Sequence, residues 1–436
     1  MKKNKGFTLI ELLAIIVILA VIAVITVPII LNIIDNSKKG AITDSAYGYK
    51  DALQKYNMTM IARNSESQGL KGSYTVSELK NLELEVSGRE PNDGVVLLDE
   101  EGISGCLNFD EYVTFLYNNQ VINTSKGNCP KEKIVTSGDG LYKSVTEPGR
   151  LIYRGANPNN KIFLKEDGTN NTLYRIVSYE TDGTIKVVRN DNLFDKEWDE
   201  PTRYNSNNEY YCTVNKGCNV WGNQSNTLYN GSSLGDNFHY SYYTNNMDTT
   251  LTNGASGKVG EEASLNKYLN DGSWNVLSNL DKYIESHKFN VGGIYYYNGQ
   301  LDGNKGFVKE KQEESLYTWT GKIGLLNITE YIESSLNPSC KDLWSNYYYN
   351  PDNESLRASN EWPCKFENYN YKSEYHQWSL SPASYYKEAV WQMHITGAFD
   401  HSSAYTAIIG VRPAFYLKSS ISLSGTGVSG DEYQIN

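Results

Sequence analysis

Basic residues are scarce in this chain of 436 residues, in which 40 Lys and Arg face 51 Asp and Glu. The formal net charge of −11 argues against nucleic-acid binding by bulk attraction, because contact with phosphates requires a basic surface. We therefore expect no nucleic-acid partner. Apolar residues make up only 39% of the chain, whereas 35 Tyr and 8 Trp enrich it in aromatic side chains.

Several catalytic and metal-binding motifs are also missing. No C-x-x-C pair occurs among the six cysteines and the five histidines are scattered, so we predict no metal site. No G-x-S-x-G sequence is present, which excludes the nucleophile elbow of Ser-His-Asp hydrolases. His394 and His401 flank a Gly-Ala-Phe-Asp turn and are candidates for a shared site, with two surface histidines as the expected alternative. We accordingly predict no catalytic residues, no cofactor and no enzymatic activity.

The most distinctive stretch extends from Lys5 to Ile34 and is mostly apolar. Three lysines, at positions 2, 3 and 5, precede its apolar residues. Crossing a hydrocarbon core takes about 20 apolar residues, and Leu12 to Leu31 supplies that length without a charge. Glu11 stands near the start of the run, where a carboxylate costs about 2.5 to 3.5 kcal/mol and usually has a partner. Cutting between Gly6 and Phe7 would remove the lysines and create a new amine near this carboxylate.

The sequence Lys5-Gly6-Phe7-Thr8-Leu9-Ile10-Glu11 resembles the processing motif of type IV prepilins, and Pro28 falls where many pilins have a helix-kinking proline. The resemblance implies cleavage after Gly6 and N-methylation of Phe7 by a prepilin peptidase. It also implies that Glu11 guides docking onto the amine of a neighbouring subunit. The alternatives are a secretory signal, whose apolar region is shorter and ends at an A-x-A-like site, and a plain membrane anchor.

An amphipathic pattern continues beyond the apolar run. Apolar residues recur at spacings of three and four: Ile42, Ala46, Tyr49, Leu53, Tyr56 and Met60. This stripe predicts one helix from Phe7 to about Arg63. Apolar runs at 94–98, 103–109, 112–117 and 120–122 then predict antiparallel strands, with Asn118-Asn119 as a hairpin turn. A long helix followed by such strands resembles the outline of a pilin.

The predicted fold class is α+β, with five segments. We predict a leader at 1–6, a transmembrane and assembly half-helix at 7–34, a pilin head at 35–133, a linker at 134–150 and an extracellular domain at 151–436. The linker prediction rests on the Gly, Ser and Thr content of that stretch. Further strands are predicted at 161–164, 172–179, 184–189, 317–326, 378–380, 390–395 and 404–417. Helices are predicted at 265–287 and at 328–336, the latter capped by Thr329, and long loops at 191–260.

Three short motifs at 378–382, 389–391 and 410–417 resemble a bacterial extracellular domain, related in outline to the C-type-lectin-like fold of formylglycine-generating enzymes. The resemblance covers roughly Arg150 to Tyr433 and implies a mixed α+β body with long irregular loops. Those enzymes use a reactive cysteine pair, so Cys340 and Cys364 are the positions to suspect of catalysis. A structural disulfide is the expected alternative.

The six cysteines are neighbours in sequence, and an even number in an exported chain indicates disulfides. Six allow 15 connectivities, of which we favour sequential pairing because each pair lies within one predicted structural unit. The pairs are Cys106 with Cys129, Cys212 with Cys218, and Cys340 with Cys364. By resemblance to pilins, the first would fasten the head sheet to its C-terminal tail.

Tyrosine clusters among Asn, Ser and Gly suit sugar or protein recognition, with core filling as the alternative. They lie at 210–211, 240–243, 295–297, 347–349 and 369–371. We expect a minor or tip subunit of a type IV pilus, held in the cytoplasmic membrane with its C-terminus outside and then displayed on a surface fibre for adhesion. Its expected partners are a prepilin peptidase, other pilins, the membrane, and a glycan or protein ligand. The alternatives are a pseudopilin of a secretion or DNA-uptake machine and a pilin-anchored extracellular enzyme.

Overall fold

A computed structural model provides the fold of the chain. The structure describes residues 8–63, 69–201, 262–271, 275–294, 318–340, 363–383 and 389–436, together with 217, 219, 221, 307, 308, 311, 312, 314 and 315.

One helix, α1 (Leu9–Arg63), runs for 55 residues and continues through Pro28. At 1.5 Å per residue it is about 82 Å long. Residues 9–34 are all exposed. The buried residues lie in its second half: Ile42, Ser45, Ala46, Tyr49, Ala52 and Leu53. The predicted long helix with an apolar first half and an amphipathic second half is confirmed.

The head contains a short helix, α2 (Val76–Leu79), and five antiparallel strands that form the head sheet in chain order. The strands are β1 (Gly72–Thr75), β2 (Asp93–Asp99), β3 (Gly102–Phe109), β4 (Tyr112–Tyr117) and β5 (Gln120–Lys126). The predicted strands are confirmed as β2 to β5. Asn118 and Asn119 join β4 to β5 with φ of 47° and 70°, the left-handed conformation that a two-residue hairpin favours.

The head sheet is covered on both faces. Residues that point to one face, such as Val96 and Leu107, pack in a cluster with Ala46 and Leu53 of α1. The residues next to them in sequence lie on the opposite face of the sheet. Together with Phe115, these residues belong to the main hydrophobic cluster, which also contains buried residues of the C-terminal part of the chain. The pleat explains this division, because successive side chains of a strand lie on opposite faces.

The C-terminal part contains an eight-stranded sheet and a second five-stranded sheet, with smaller two-stranded pairs. The eight-stranded sheet comprises β6 (Gly140–Lys143), β7 (Leu151–Arg154), β8 (Lys161–Leu164), β9 (Thr172–Tyr179), β10 (Ile185–Arg189), β12 (Ile284–Glu285), β15 (Ile323–Gly324) and β20 (Ala414–Leu417). The five-stranded sheet comprises β11 (Phe194–Asp195), β16 (Gln377–Pro382), β17 (Ala389–Met393), β18 (Phe399–Ser403) and β19 (Gly410–Val411). The pairs are β13 (His287–Asn290) with β14 (Thr318–Gly321), and β21 (Leu423–Ser424) with β22 (Gln434–Ile435). Among the strands that the structure describes, all pairings are antiparallel except that of β16 with β19.

Helices are few in the described C-terminal part. They include α3 (Ser264–Asn270), α4 (Ile328–Glu333) and the 3₁₀ turns Asn275–Leu280 and Pro363–Lys365. The single helix predicted for 265–287 is wrong, because Ile284 and Glu285 pair with β20 and tertiary pairing overrides the helical pattern. The cap of α4 is Asn327, which forms a capping box with Glu330, and not Thr329.

Two more strand predictions differ in detail. The strand predicted at 317–326 is interrupted at Lys322 and forms β14 and β15, and the strand predicted at 404–417 forms only β19 and β20. Pro413 interrupts the latter because proline has no backbone N–H to donate to a ladder. Most of the loops predicted at 191–260 lie outside the described residues.

The segment at 134–150 is folded rather than open. It contains β6, which pairs with β7 immediately beyond it, and its residues Ile134 and Leu141 are buried in the main hydrophobic cluster. Hydrogen bonds also join the head to the C-terminal part of the chain: the Asn123 side-chain amide donates to the Thr181 carbonyl at 3.0 Å. Similarly, Asn128 donates to the Ile421 carbonyl at 3.0 Å. We call everything from residue 69 onward the body, and the five segment boundaries stay a prediction.

Candidate processing and assembly site

The start of α1 is held by a reciprocal set of hydrogen bonds between Thr8 and Glu11. The backbone N–H and the hydroxyl of Thr8 donate to Glu11 Oε2 at 2.8 and 2.9 Å. The Glu11 N–H in turn faces Thr8 Oγ1 at 3.3 Å. This is a capping box, which satisfies backbone N–H groups that lack a partner in the first helical turn. Gly6 and Phe7, the predicted cleavage and methylation residues, lie outside the described residues.

Glu11 has no cationic partner within the described part of the chain. Its contacts are limited to Thr8, and its side chain is exposed on a helix surface that is otherwise apolar. A carboxylate in such a place is expensive in a membrane unless it meets a positive charge. The arrangement therefore leaves Glu11 able to accept an amine from outside the described residues, whether from its own N-terminus or from another chain.

The first half of α1 has no contact with the body that would bury it. The 18-residue stretch that is apolar enough to span a membrane is wholly exposed, and α1 is the one described helix that is long and apolar enough to do so. Leu9 is 86% exposed and Val24 75% exposed. At 1.5 Å per residue, residues 9–34 extend about 39 Å, more than the roughly 30 Å of a hydrocarbon core. An exposed apolar surface of this size indicates burial against lipid or other proteins.

Pro28 interrupts the hydrogen-bond ladder of this exposed half, because it has no N–H to donate to the preceding turn. Close by, the Thr26 hydroxyl donates to the Ile22 carbonyl at 2.7 Å, so both of these positions perturb the helical ladder. The helix nonetheless continues through them. The predicted kink and the predicted role of Pro28 in assembly stay predictions.

A polar junction marks the point where α1 reaches the head. The Tyr112 hydroxyl donates to Asp35 Oδ1 at 2.6 Å, and Lys39 lies 3.0 Å from the same carboxylate. These contacts lower the pKa of Asp35, the hydrogen bond from Tyr112 most of all. Burial and the bond to Asp35 raise the pKa of Tyr112 to about 12. The junction thus fixes α1 on the head just beyond its apolar half.

The structure contains two of the expected disulfides. Cys106 in β3 is joined to Cys129, and Cys340 is joined to Cys364. The first ties the head sheet to the segment beyond β5, as the resemblance implied. The second engages the thiols suspected of catalysis in a buried bridge. Cys212 and Cys218 lie outside the described residues.

The two candidate histidines, His394 and His401, make different ring contacts, although both are close enough to Asp400 to lower its pKa. His394 lies beside His376, with ring centroids 4.1 Å apart, and its Nδ1 is 2.9 Å from the Thr396 hydroxyl. His401 instead stacks on Trp391 across the β17–β18 pair, with centroids 5.6 Å apart. Burial lowers the pKa of both His376 and His394.

Of the five tyrosine clusters, those at 210–211, 240–243, 295–297 and 347–349 lie outside the described residues. In the fifth, Tyr369 is buried in the main hydrophobic cluster. Trp198, Trp221 and Trp378 are fully buried as well. For the described aromatic residues named here, core filling accounts for the composition.

Sequence reasoning missed a buried network of ion pairs. Arg150 contacts Glu180 at 2.9 Å and Glu330 at 3.0 Å, and Lys186 contacts Glu330 at 2.7 Å. Burial alone would raise the pKa of Glu330, but the charges of Lys186 and Arg150 lower it below its ordinary value. Lys311 likewise pairs with a glutamate, 2.9 Å from Glu147. Each of these cations is matched by carboxylates, which indicates a structural role in joining distant segments.

A family model of the prokaryotic N-terminal methylation motif matches residues 1–27. No curated protein and no solved structure matches the chain. The matched segment includes the predicted cleavage residues and Glu11 and runs into the exposed half of α1. The chain therefore begins with a prepilin-type methylation motif on a long apolar helix, a combination that supports a type IV pilin-like or pseudopilin subunit.

Proposed function

We propose that this protein is a minor or tip subunit of a type IV pilus, processed between Gly6 and Phe7 and assembled into a surface fibre. Before assembly it is a single-pass protein of the cytoplasmic membrane with its body outside. The observation that carries the proposal is the methylation motif, which is continuous with an apolar half-helix that the body leaves uncovered.

The assembly step follows from the geometry at the start of α1. Removal of the leader would give Phe7 a free or methylated amine, and Glu11 is the acid close to it in sequence. A neighbouring subunit's amine is then the charge that Glu11 meets as apolar half-helices pack together. The capping box with Thr8 holds the Glu11 carboxylate at the tip of the helix until that partner arrives.

The minor or tip assignment is supported by the size of the body. Described residues beyond position 134 pack directly against the head sheet, so every copy carries this part of the chain close to its own helix. A fibre with such a subunit at each position would be crowded around its axis. Quantitative mass spectrometry of sheared fibres tests this, and an abundance equal to that of the main pilin would contradict it.

Processing is tested by mass spectrometry of the mature N-terminus. We expect a chain that begins at a methylated Phe7, and a Gly6→Leu variant that keeps its leader. An intact Met1 in the protein recovered from fibres would refute the proposal.

Docking is tested by Glu11→Val, which should insert normally into the membrane and fail to enter fibres. The matched control is Thr8→Val, which removes the hydroxyl of the capping box but leaves the carboxylate in place. We expect this control to be incorporated. Equal defects in the two variants would mean that helix capping, and not docking, is what Glu11 provides.

A pseudopilin is the second candidate, because the same motif match supports it. A deletion strain that loses secretion or DNA uptake, while no surface fibre carries the protein, would favour that candidate.

For the body we propose recognition of a glycan or protein ligand without catalysis. Binding to a glycan array with no turnover of the bound sugar is the expected result.

A further inference from the structure

A second group of buried cations differs from the ion-pair network. It consists of Arg175 in β9, Arg412 between β19 and β20, and Lys372 in the loop before β16, and we call it the cation cluster. Arg412 is 1% exposed and Arg175 is 8% exposed. Neither arginine forms a salt bridge within the described part of the chain.

The hydrogen bonds of the two arginines go to neutral oxygens. Arg412 donates to the Arg189 and Asn370 carbonyls, both at 2.9 Å, and to the side-chain oxygen of Gln377 at 2.6 Å. Arg175 donates to the side-chain oxygens of two asparagines, Asn190 at 2.9 Å and Asn160 at 3.1 Å. Buried charges are normally paired, so two guanidinium groups held by neutral oxygens alone leave uncompensated positive charge.

Lys372 adds a third positive charge, on the more exposed side of the cation cluster. Its amine lies 3.6 Å from Asp191 Oδ1, but that carboxylate is 66% exposed and only weakly compensating. Burial and the charges of Arg412 and Arg175 lower the pKa of Lys372 to about 8, against the opposing charges of Asp191 and Glu374. The three cations are thus close enough to repel one another.

A buried hydrogen-bond donor in the same place also lacks a partner. Gln377 is fully buried, and its side-chain oxygen accepts from Arg412 and from the Tyr331 hydroxyl. Those two bonds fix the orientation of the amide, because only the oxygen can accept. The amide nitrogen is left without a hydrogen-bond partner in the described structure. An unsatisfied buried donor costs about 1 to 3 kcal/mol, so its persistence points to a missing acceptor.

We propose that the cation cluster binds an oxyanion, namely a carboxylate, sulfate or phosphate group, approaching past Lys372 toward Arg412, Arg175 and the amide of Gln377. Such a group offers the acceptors and the negative charge that the cluster lacks, and guanidinium groups favour oxyanions. The exposed Asp191 and Glu374 at the rim would repel a second charge and so favour a single anionic group. The site does not depend on fibre assembly or on the role of the N-terminal motif.

The test is the affinity of the full-length protein, in non-ionic detergent, for sulfate, phosphate and acetate against chloride at equal ionic strength. Isothermal titration calorimetry should detect binding of at least one oxyanion. Lys372→Met should weaken that binding by about tenfold, since a charged hydrogen bond contributes at least that much. Lys322→Met, which removes an equal charge from an exposed pair with Asp281, is the matched control and should bind as the unchanged protein does.

Lys372→Met is also expected to fold, because it removes a half-buried charge whose ionised form is already disfavoured. Its thermal midpoint without anion should therefore equal or exceed that of the unchanged protein. No selectivity for any oxyanion over chloride would overturn the proposal. Equal weakening by the Lys322 variant would overturn it too, because binding would then reflect overall charge. The three probes separate a planar carboxylate from a tetrahedral sulfate or phosphate as the group that fits.

Discussion

The first half of α1 and the body differ in which side chains they expose and which they bury. Residues 9–34 expose apolar side chains along their whole length and contact nothing in the described chain that buries them. The body buries even a charged residue such as Lys186, which is 2% exposed and pairs with Glu330 inside the fold. The buried charges of the body are thus stabilised by contacts within the described chain, whereas the apolar surface of residues 9–34 needs lipid or other proteins to cover it.

The largest expected effect comes from breaking the ion-pair network of the body. Arg150→Met leaves Glu180 and Glu330 short of a partner, so the free energy of unfolding should fall by about 3 to 5 kcal/mol. Denaturant titration followed by tryptophan fluorescence measures this. Arg89→Met is the control, because its pair with Asp110 is exposed and should contribute less than about 1 kcal/mol. Similar losses in the two variants would show that burial of the network is not what matters.

A matched leucine pair tests the two halves of α1 directly. Leu53 is fully buried against the head sheet, so Leu53→Ala should lower the free energy of unfolding by about 2 to 5 kcal/mol. Leu19 is 59% exposed, and Leu19→Ala should change it by less than about 0.5 kcal/mol. Both are measured in the same detergent by the same denaturant titration. A large loss for Leu19→Ala would mean that the first half of α1 packs against the body after all.

The smallest expected effect is a pH dependence in the body. Burial raises the pKa of Glu314 from 4.5 to about 7, although Ser381 and Thr329 donate to its carboxylate. The folded state then holds this proton more tightly than the unfolded state. Its contribution is complete below about pH 4.5 and is lost as pH rises to about 7.

Glu314→Gln should therefore flatten the decline of stability between pH 5 and 7, because a neutral amide does not titrate. Denaturant midpoints across that range measure the slope. Glu83→Gln, at an exposed position of the head, serves as the control and should leave the slope as it is. An unchanged slope in the Glu314 variant would show that this carboxyl is ionised in the folded protein at pH 5.

Local patterns in the sequence were enough to predict much of the head. The long helix, the strands β2 to β5 and the Asn118-Asn119 turn follow from periodicity and turn chemistry, which act over a few residues. One signal for the covered second face was present: the uninterrupted run Val95-Val96-Leu97-Leu98 is typical of a strand buried on both sides. The prediction of a strand at 94–98 does not use this signal, and it therefore does not include the close packing of the C-terminal part on the head.

The buried charges could not be predicted in this way. Arg150, Lys186 and Glu330 are far apart in sequence, and charged residues are ordinarily taken to face water. Their pairing depends on which strands become neighbours, and that is a property of the whole fold. The same is true of Arg412, whose neutral partners come from two stretches that are distant in sequence, at Arg189 and at 370–377. At the N-terminus, by contrast, the order and spacing of a few residues carried the prediction.

The closely packed second face of the head sheet has a mechanical consequence. If α1 is anchored in a fibre and the body is pulled by an attached surface, the load passes from helix to sheet and then across a broad side-chain contact. That contact includes Phe115 and the hydrogen bonds to the Thr181 and Ile421 carbonyls. Tension would thus reach the far end of the body without first extending a flexible linker. The body would therefore keep its orientation about the fibre axis under load.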